Sequence, residues 1–239
     1  MKILMSLLLL FGLWGSRLTT YSLTDKLVIE SFDPQTREGV RITIPPNFEI
    51  ESIGGRGKWW ISKIEKAGDK NWLTQSIAWH FGLGIIYPKE EIKFLGLNKK
   101  IIWKNIDITN TGLVDKVQTA DQEDVWILNS RWYKNDFFQD SQIAGEKLSV
   151  AVANSTNING LGAKVAQIIE TAGMRTTMLE TTNTNLTESC VLTVASVNRK
   201  KLGVQYLMRV FDCSQKIDDS FKDDIRLELG QKLAFKLFG

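Results

Sequence analysis

One histidine, two cysteines and four prolines in 239 residues set the first limits on this sequence. His80, Cys190 and Cys213 are too few for a zinc site of the usual His/Cys spacing. A Ser-His-Asp triad would have to be built on that one histidine, and no Gly-x-Ser-x-Gly elbow accompanies it. His80 lies between Trp79 and Phe81 in an apolar stretch and reads as a structural residue. A surplus of one charge is also lacking. Thirty basic against 27 acidic side chains leave +3, without the concentrated basic face of a nucleic-acid binder. Beyond residues 3–15 there is no long apolar run, which excludes a polytopic membrane protein. The acidic clusters at 121–124 and 218–224 lack the ligand spacing of a calcium loop and read as solvated.

What is present is unevenly sorted. All eight tryptophans lie at or before Trp132, all four prolines at or before Pro88, and both cysteines near the C-terminus. A well-mixed single domain does not usually sort its residues this way, so two domains of different character are expected. The boundaries fall at 1–20 (signal or anchor), 21–135 (first domain), 136–146 (linker) and 147–239 (second domain). The fold class expected is α/β (α+β).

Lys2 precedes an apolar run from Ile3 to Gly15, with Arg17 beyond it. Thirteen residues of helix span about 20 Å, short of a bilayer core, and the charge-then-apolar order is that of an export signal. Leu13 or Trp14 stands where a cleavage site wants a small residue, so a removed signal and a short uncleaved anchor are both open. Either places the rest of the chain outside the cytoplasm, secreted or membrane-anchored. There, Cys190 and Cys213 are a candidate disulfide; two free buried thiols are the alternative.

In the first domain, 26–32 and 40–44 read as strands joined by the Asp33-Pro34 turn, and 48–53 as a half-exposed strand. Residues 59–67 and 70–83 have helical spacing, the second capped by Asp69. Short strands are expected at 85–87, 101–103 and 125–128, and a helix over 109–119 through Leu113 and Val117. In the second domain the pattern is β-α-β-β-α-β, with the first helix over 160–172 closed by Gly173.

Two constellations are candidates for chemistry. Arg56, Lys58, Trp59 and Trp60 place cations beside aromatics on a Gly-rich loop, which suits sugars or phosphates; a core Trp pair with solvated cations is the alternative. The turn from Asn154 and Thr156 to Gly160 opens a helix whose N-terminus could hold an anion. It lacks the Walker spacing, and Val165 stands where a dinucleotide fingerprint needs its third glycine. The bland reading, in which the turn polars cap the helix and the glycines permit a tight turn and close packing, is the one preferred.

The stretch KLSVAVANSTNINGLGAKVAQIIETAGMRT, followed later by DIRLELGQKLA, resembles the C-terminal domain of LytR–CpsA–Psr cell-envelope proteins. It matches at Val150, Val152, Asn154, Thr156, Gly160, Leu161, Ala166, Gly173, Asp224 and Gly230. More faintly, DKLVIESFDPQTREGVRITIPPN, GRGKWWISKIEKAGD and SIAWHFGLGI resemble parts of the catalytic LytR–CpsA–Psr domain, which transfers glycopolymers from a polyprenyl pyrophosphate carrier. The family's pattern has Arg at the position of Pro46 and Asp at that of Asn47, and the strand leading to its first Asp is missing before Asp25. Proline cannot replace a bidentate clamp on developing phosphate charge. The resemblance therefore implies an exported envelope-associated binding or scaffolding protein, not an enzyme and without a cofactor. Its partners would be an envelope polymer, a lipid-linked glycan or an envelope protein, with the membrane reached through the N-terminus and no nucleic acid. The alternative is a divergent glycopolymer phosphotransferase that uses magnesium and Arg41, Arg56 or Lys58 in place of the missing arginine. A purely structural, protein-interaction module is the third reading.

Overall fold

A computed structural model describes residues 16–91, 101–221 and 223–238; the apolar run Ile3–Gly15, expected to be a signal or anchor, lies outside them. The first half is built on β1 (Leu18–Leu23), β2 (Leu27–Asp33) and β3 (Glu38–Ile44), an antiparallel meander. The β2–β3 turn forms where expected, because the Asp33 carboxylate accepts from the Gln35 and Thr36 amides. After β4 (Glu49–Glu51), β5 (Lys58–Trp60), β6 (Tyr87–Pro88) and β7 (Ile102–Asp107), the main sheet reads β6-β1-β2-β3-β7. Strands β4 and β5 pair with each other, as do β8 (Val114–Gln118) and β9 (Asp124–Leu128).

Helix α1 (Ile61–Ile64) is one turn long, and α2 (Lys70–Phe81) begins at Asp69, whose side chain accepts from the Trp72 amide as expected. Gly82 ends α2 in the left-handed region at φ 69°. The buried side chains of α2, including Leu73, Ile77 and Phe81, join Leu27, Ile29, Ile42 and Ile44 of the sheet in one core.

Two helices expected from spacing are replaced. Over 109–119 the chain makes a 3-10 turn at Ile108–Asn110 and then strand β8. The i,i+4 spacing of Leu113 and Val117 fits a helix in isolation. Gly112 at φ 68° breaks it, and the Asp124–Leu128 strand offers a full antiparallel partner. Over 59–67 only Ile61–Ile64 is helical, because Trp59 and Trp60 pair with Ile50 and Glu49 as a strand.

The second half begins after a 3-10 turn (Trp132–Lys134) and α3 (Ser141–Gly145). Residues 136–146, expected as a polar linker, bury Phe138, Asp140 and Ile143. Then follow β10 (Ser149–Asn154), α4 (Leu161–Ala172), β11 (Arg175–Thr181), β12 (Cys190–Val194), α5 (Leu202–Phe211), β13 (Ser214–Ile217), β14 (Ile225–Leu229) and α6 (Gln231–Phe238). The expected β-α-β-β-α-β order is present, with β13 inserted before the final strand and α6 added after it. The sheet order is β11-β10-β14-β12-β13. Strand β10 is central and buried on both faces, as its unbroken run Val150–Ala153 requires. Cys190 and Cys213 are bonded, tying β12 to the junction between α5 and β13. A disulfide persists in an oxidising, extracytoplasmic setting. Among the described residues no helix is long and apolar enough to cross a membrane.

One hydrophobic cluster runs through both halves, from Tyr21 and Phe81 to Val150 and Leu237. Polar contacts cross with it. The Gly54 amide donates to the Leu237 carbonyl at 2.6 Å, and the Trp79 and Phe238 rings meet edge-on at 5.8 Å.

Candidate functional site

The cations and tryptophans singled out from the sequence fall in two places. Arg56, Lys58, Trp59 and Trp60 lie on the β4–β5 hairpin and at the start of α1. Lys58 pairs with Glu49 at 2.7 Å. Arg56 donates to the Ala67 carbonyl at 2.9 Å and lies 5.1 Å from the Trp72 ring centre. The Trp59 indole N–H closes the loop on the Arg56 carbonyl, and Lys63 sits over Trp60 at 4.4 Å. Arg41 is elsewhere, on β3, bound to buried Glu30 at 2.6 Å and stacked on Trp103 at 5.0 Å. Arg41 thus shares no partner with Arg56 or Lys58.

The turn at the head of α4 is closed by its own side chains. Asn154 accepts from the Thr156 amide (3.1 Å) and hydroxyl (2.7 Å) and donates to the Ile158 carbonyl (3.0 Å). Gly160 takes φ 81° at the helix start and Gly173 φ 108° at its end, where a side chain would run into Ala144. The glycines act as expected, but the Asn154 and Thr156 side chains bond within residues 154–158 and neither caps α4, whose N-cap is Gly160. Beside it, the Ser155 hydroxyl meets Thr182, Thr184 and the Glu228 carboxylate at 2.6–2.8 Å. Burial alone would raise the Glu228 carboxyl, but hydroxyl donation from Thr184 and Ser155, with Arg226 and Lys216 nearby, holds it below its ordinary value.

Two features not singled out from the sequence stand between the halves. The first is a cleft of about 100 Å³. Its walls come from Ser16, Arg17 and Thr19, from Leu83, Gly84, Ile85 and Tyr87, from Phe138, Asp140 and Ile143, from Thr171 and Ala172, and from Leu202, Gln205, Tyr206 and Arg209. Arg17 is spent structurally. Its amide donates to Asp140 at 2.6 Å, and its guanidinium to the carbonyls of Gln139 and Phe137 and to the Ser31 hydroxyl. Arg209 makes no ion pair among the described residues and lies close enough to Tyr87 to act on its phenol. Tyr206 hydrogen-bonds Gly84, where any side chain would collide with the phenol and Val210, so the glycine keeps this wall closed.

The second is Lys164 on α4. Its ammonium donates to the His80 carbonyl (3.1 Å) and the Tyr133 hydroxyl (3.0 Å), and sits 4.8 Å from the Tyr133 ring centre and 5.7 Å from that of Trp79. No carboxylate reaches it. Desolvation lowers its pKa to about 8, against the weaker pull of Glu51. His80 is only half satisfied: its Nδ1 accepts from the Glu51 amide at 3.0 Å, which puts the proton on Nε2, a buried atom without a partner among the described residues. Burial, then Lys164 and Lys58, push its pKa down to about 3, so it is neutral across the physiological range.

Compared with models of protein families, with curated proteins and with solved structures, the chain finds no match.

Proposed function

We propose that this is an extracytoplasmic, envelope-associated binding protein, held at the membrane by its N-terminal apolar run, and that the cleft between its halves takes the anionic head group of an envelope component such as a lipid-linked glycan. The observation that carries the reading is the position of the cleft. Ser16 and Arg17, the residues directly after the apolar run, form part of its wall, so a membrane-held chain would present it at the lipid surface. Its apolar walls and the unpaired Arg209 suit a phosphate at the end of a lipid, and its size admits a head group rather than a sugar chain. The disulfide and the resemblance to envelope proteins support the same setting.

The phosphotransferase alternative needs Arg41, Arg56 or Lys58 to stand in at a pyrophosphate; the three are committed to Glu30, Ala67 and Glu49, and none lines this cleft. The test is a titration of the full chain, in mixed micelles, with polyprenyl phosphate. The reporter is the fluorescence of Trp132, whose ring packs at 5.7 Å on Phe138 of the cleft wall. A saturable change that Arg209→Glu weakens about tenfold is expected. No response, or one that Arg209→Glu leaves intact, would overturn the assignment.

A further inference from the structure

The C-terminal sheet ends on β11, a seven-residue strand bonded to β10 on one side only. The Arg175 amide donates to Leu148 and that of Thr182 to Asn154. By the two-residue alternation of a strand, the amides of Leu179 and Thr181 then point away from the sheet. Natural sheets protect such edges with lysine, proline or short strands. The other edges of the two five-stranded sheets are protected in that way: β6 has two residues, β13 has four with Lys216 among them, and β7 carries Lys104. Strand β11 has neither lysine nor proline, and it exposes Met178 (50%) and Leu179 (53%) side by side.

Next to this edge runs a groove between α4 and β11, floored by Ala163 and Ala166. Gln167 and Thr176 stand in its wall, and their Oε1 and Oγ1 are two of the four buried side-chain atoms without partners among the described residues. The groove is therefore the least satisfied surface of this half.

We propose that β11 is a self-association edge, at which two copies of the chain pair antiparallel and join their five-stranded sheets into one. Charge selects a second copy over an unrelated strand. About a two-fold axis between Thr177 and Met178, Arg175 of each chain lies opposite Glu180 of the other, and Thr176 opposite Leu179. A register shift at Val150/Ala151 leaves Thr177 as the extra residue of β11. It brings the outward amides of residues 176 and 179 into phase across this axis. Arg175 is exposed and has no ion pair among the described residues, while Glu180 holds Arg226 at 2.6 Å and is still 34% exposed, so it has room for a second cation. Both ends of the pairing gain an opposite-charge contact, as an isologous interface requires. The small Ala163 side chain on the exposed flank of α4 leaves space for the two helices to approach above the joined strands.

The test is sedimentation equilibrium of the full chain in density-matched detergent over roughly a hundredfold range of concentration. It is paired with a short bis-maleimide cross-linker on single-cysteine additions that leave Cys190–Cys213 bonded. A reversible dimer is expected, cross-linked through Met178→Cys near the axis and not through Ile217→Cys on the opposite edge. Arg175→Glu should weaken it about tenfold, and Leu179→Lys should abolish it with the circular dichroism spectrum unchanged. A chain that stays monomeric, a dimer indifferent to Leu179→Lys, or cross-linking at residue 217 in place of 178 would overturn the proposal.

Discussion

Replacing Lys164 by methionine should stabilise this protein at neutral pH. Methionine keeps the length of the side chain over Trp79 and Tyr133 and removes only the ammonium. In the native chain that ammonium is held by two neutral acceptors and two aromatic faces, with no carboxylate in contact. The fall of its pKa from the ordinary 10.5 to about 8 measures what the site lacks relative to water. At 1.36 kcal/mol per decade, the charged form is disfavoured by about 3 kcal/mol on folding. Losing the two donated hydrogen bonds offsets part of this, although the His80 carbonyl keeps its bond from Tyr133. A net gain of roughly 1–2 kcal/mol is expected.

The sign with pH follows from linkage. Between about pH 8 and 10.5 the unfolded chain carries the proton and the native chain does not, so the native chain becomes more stable as pH rises through that window. Below it the penalty is constant. Urea unfolding of both proteins should therefore show Lys164→Met ahead by a fixed margin from pH 6 to 7.5, a margin that shrinks as pH approaches 10. Taking the difference between the two proteins cancels the tyrosines away from residue 164, and Tyr133, whose phenol burial raises to about 12, titrates in the native chain above the window used. A variant several kcal/mol less stable at pH 7, or a margin independent of pH, would refute the desolvation argument.

Two further outcomes follow from the geometry. Replacing both Cys190 and Cys213 by alanine releases a cross-link between residues 23 apart and should cost about 3 kcal/mol, read as a lower urea midpoint that thiol reductant reproduces in the native chain. Glu30 is buried between Arg41 (2.6 Å) and Lys89 (2.7 Å). Burial would raise its carboxyl, but the hydrogen bonds from Lys89 and Arg41 outweigh it and hold the pKa down. Its contribution is present above the ordinary 4.5 and lost as pH falls through the lower native value. Glu30→Gln should thus cost about 1–2 kcal/mol at pH 7, a figure reduced for the partial exposure of both cations. The cost should shrink in acid-unfolding curves as pH falls below the ordinary 4.5 and disappear once it is below the lowered native value.

The parts of this fold legible in the sequence are those fixed by local chemistry. Asp69 starts α2, Asp33 makes the β2–β3 turn, and Gly173 closes α4, each through contacts within a few residues, whereas α2 ends at Phe81, capped by Gly82, two residues before the 83 expected. Where the deciding partner is distant, spacing misleads. Val114–Gln118 reads as a helix until β9 supplies the ladder, and β13, exposed at every residue, carries Ile217 alone as an apolar signal. The cleft was invisible for the same reason, since its walls come from five stretches of chain and no single one suggests a site. Lys164 did leave a trace. It lies at i+3 from Leu161 and i−4 from Ile168, so a cation sits within the apolar stripe of α4. A charge on the buried face of a helix is the pattern that marks such a group before its surroundings are known.

The contacts around Arg17 bear on whether the cleft is a preformed site or a hinge. Its backbone amide holds one oxygen of Asp140, while the other caps α3 through the Gln142 and Ile143 amides. Its side chain bonds the carbonyls just before that helix, and the Ser141 amide returns to Asp33 on β2. Asp33 and Asp140 are both buried, so opening the halves here would break the Arg17 hydrogen bonds and its approach to Asp33 in one movement. Hydrogen bonds to charged groups contribute roughly 1.5–3 kcal/mol each. On the far side, α5 carries Leu202, Gln205, Tyr206 and Arg209 of the cleft and ends at the disulfide that fixes it to β12. Both walls are therefore anchored, one by buried charge and the other by a covalent bond. A ligand entering between them meets a fixed shape, and little of its binding energy is needed to assemble the site.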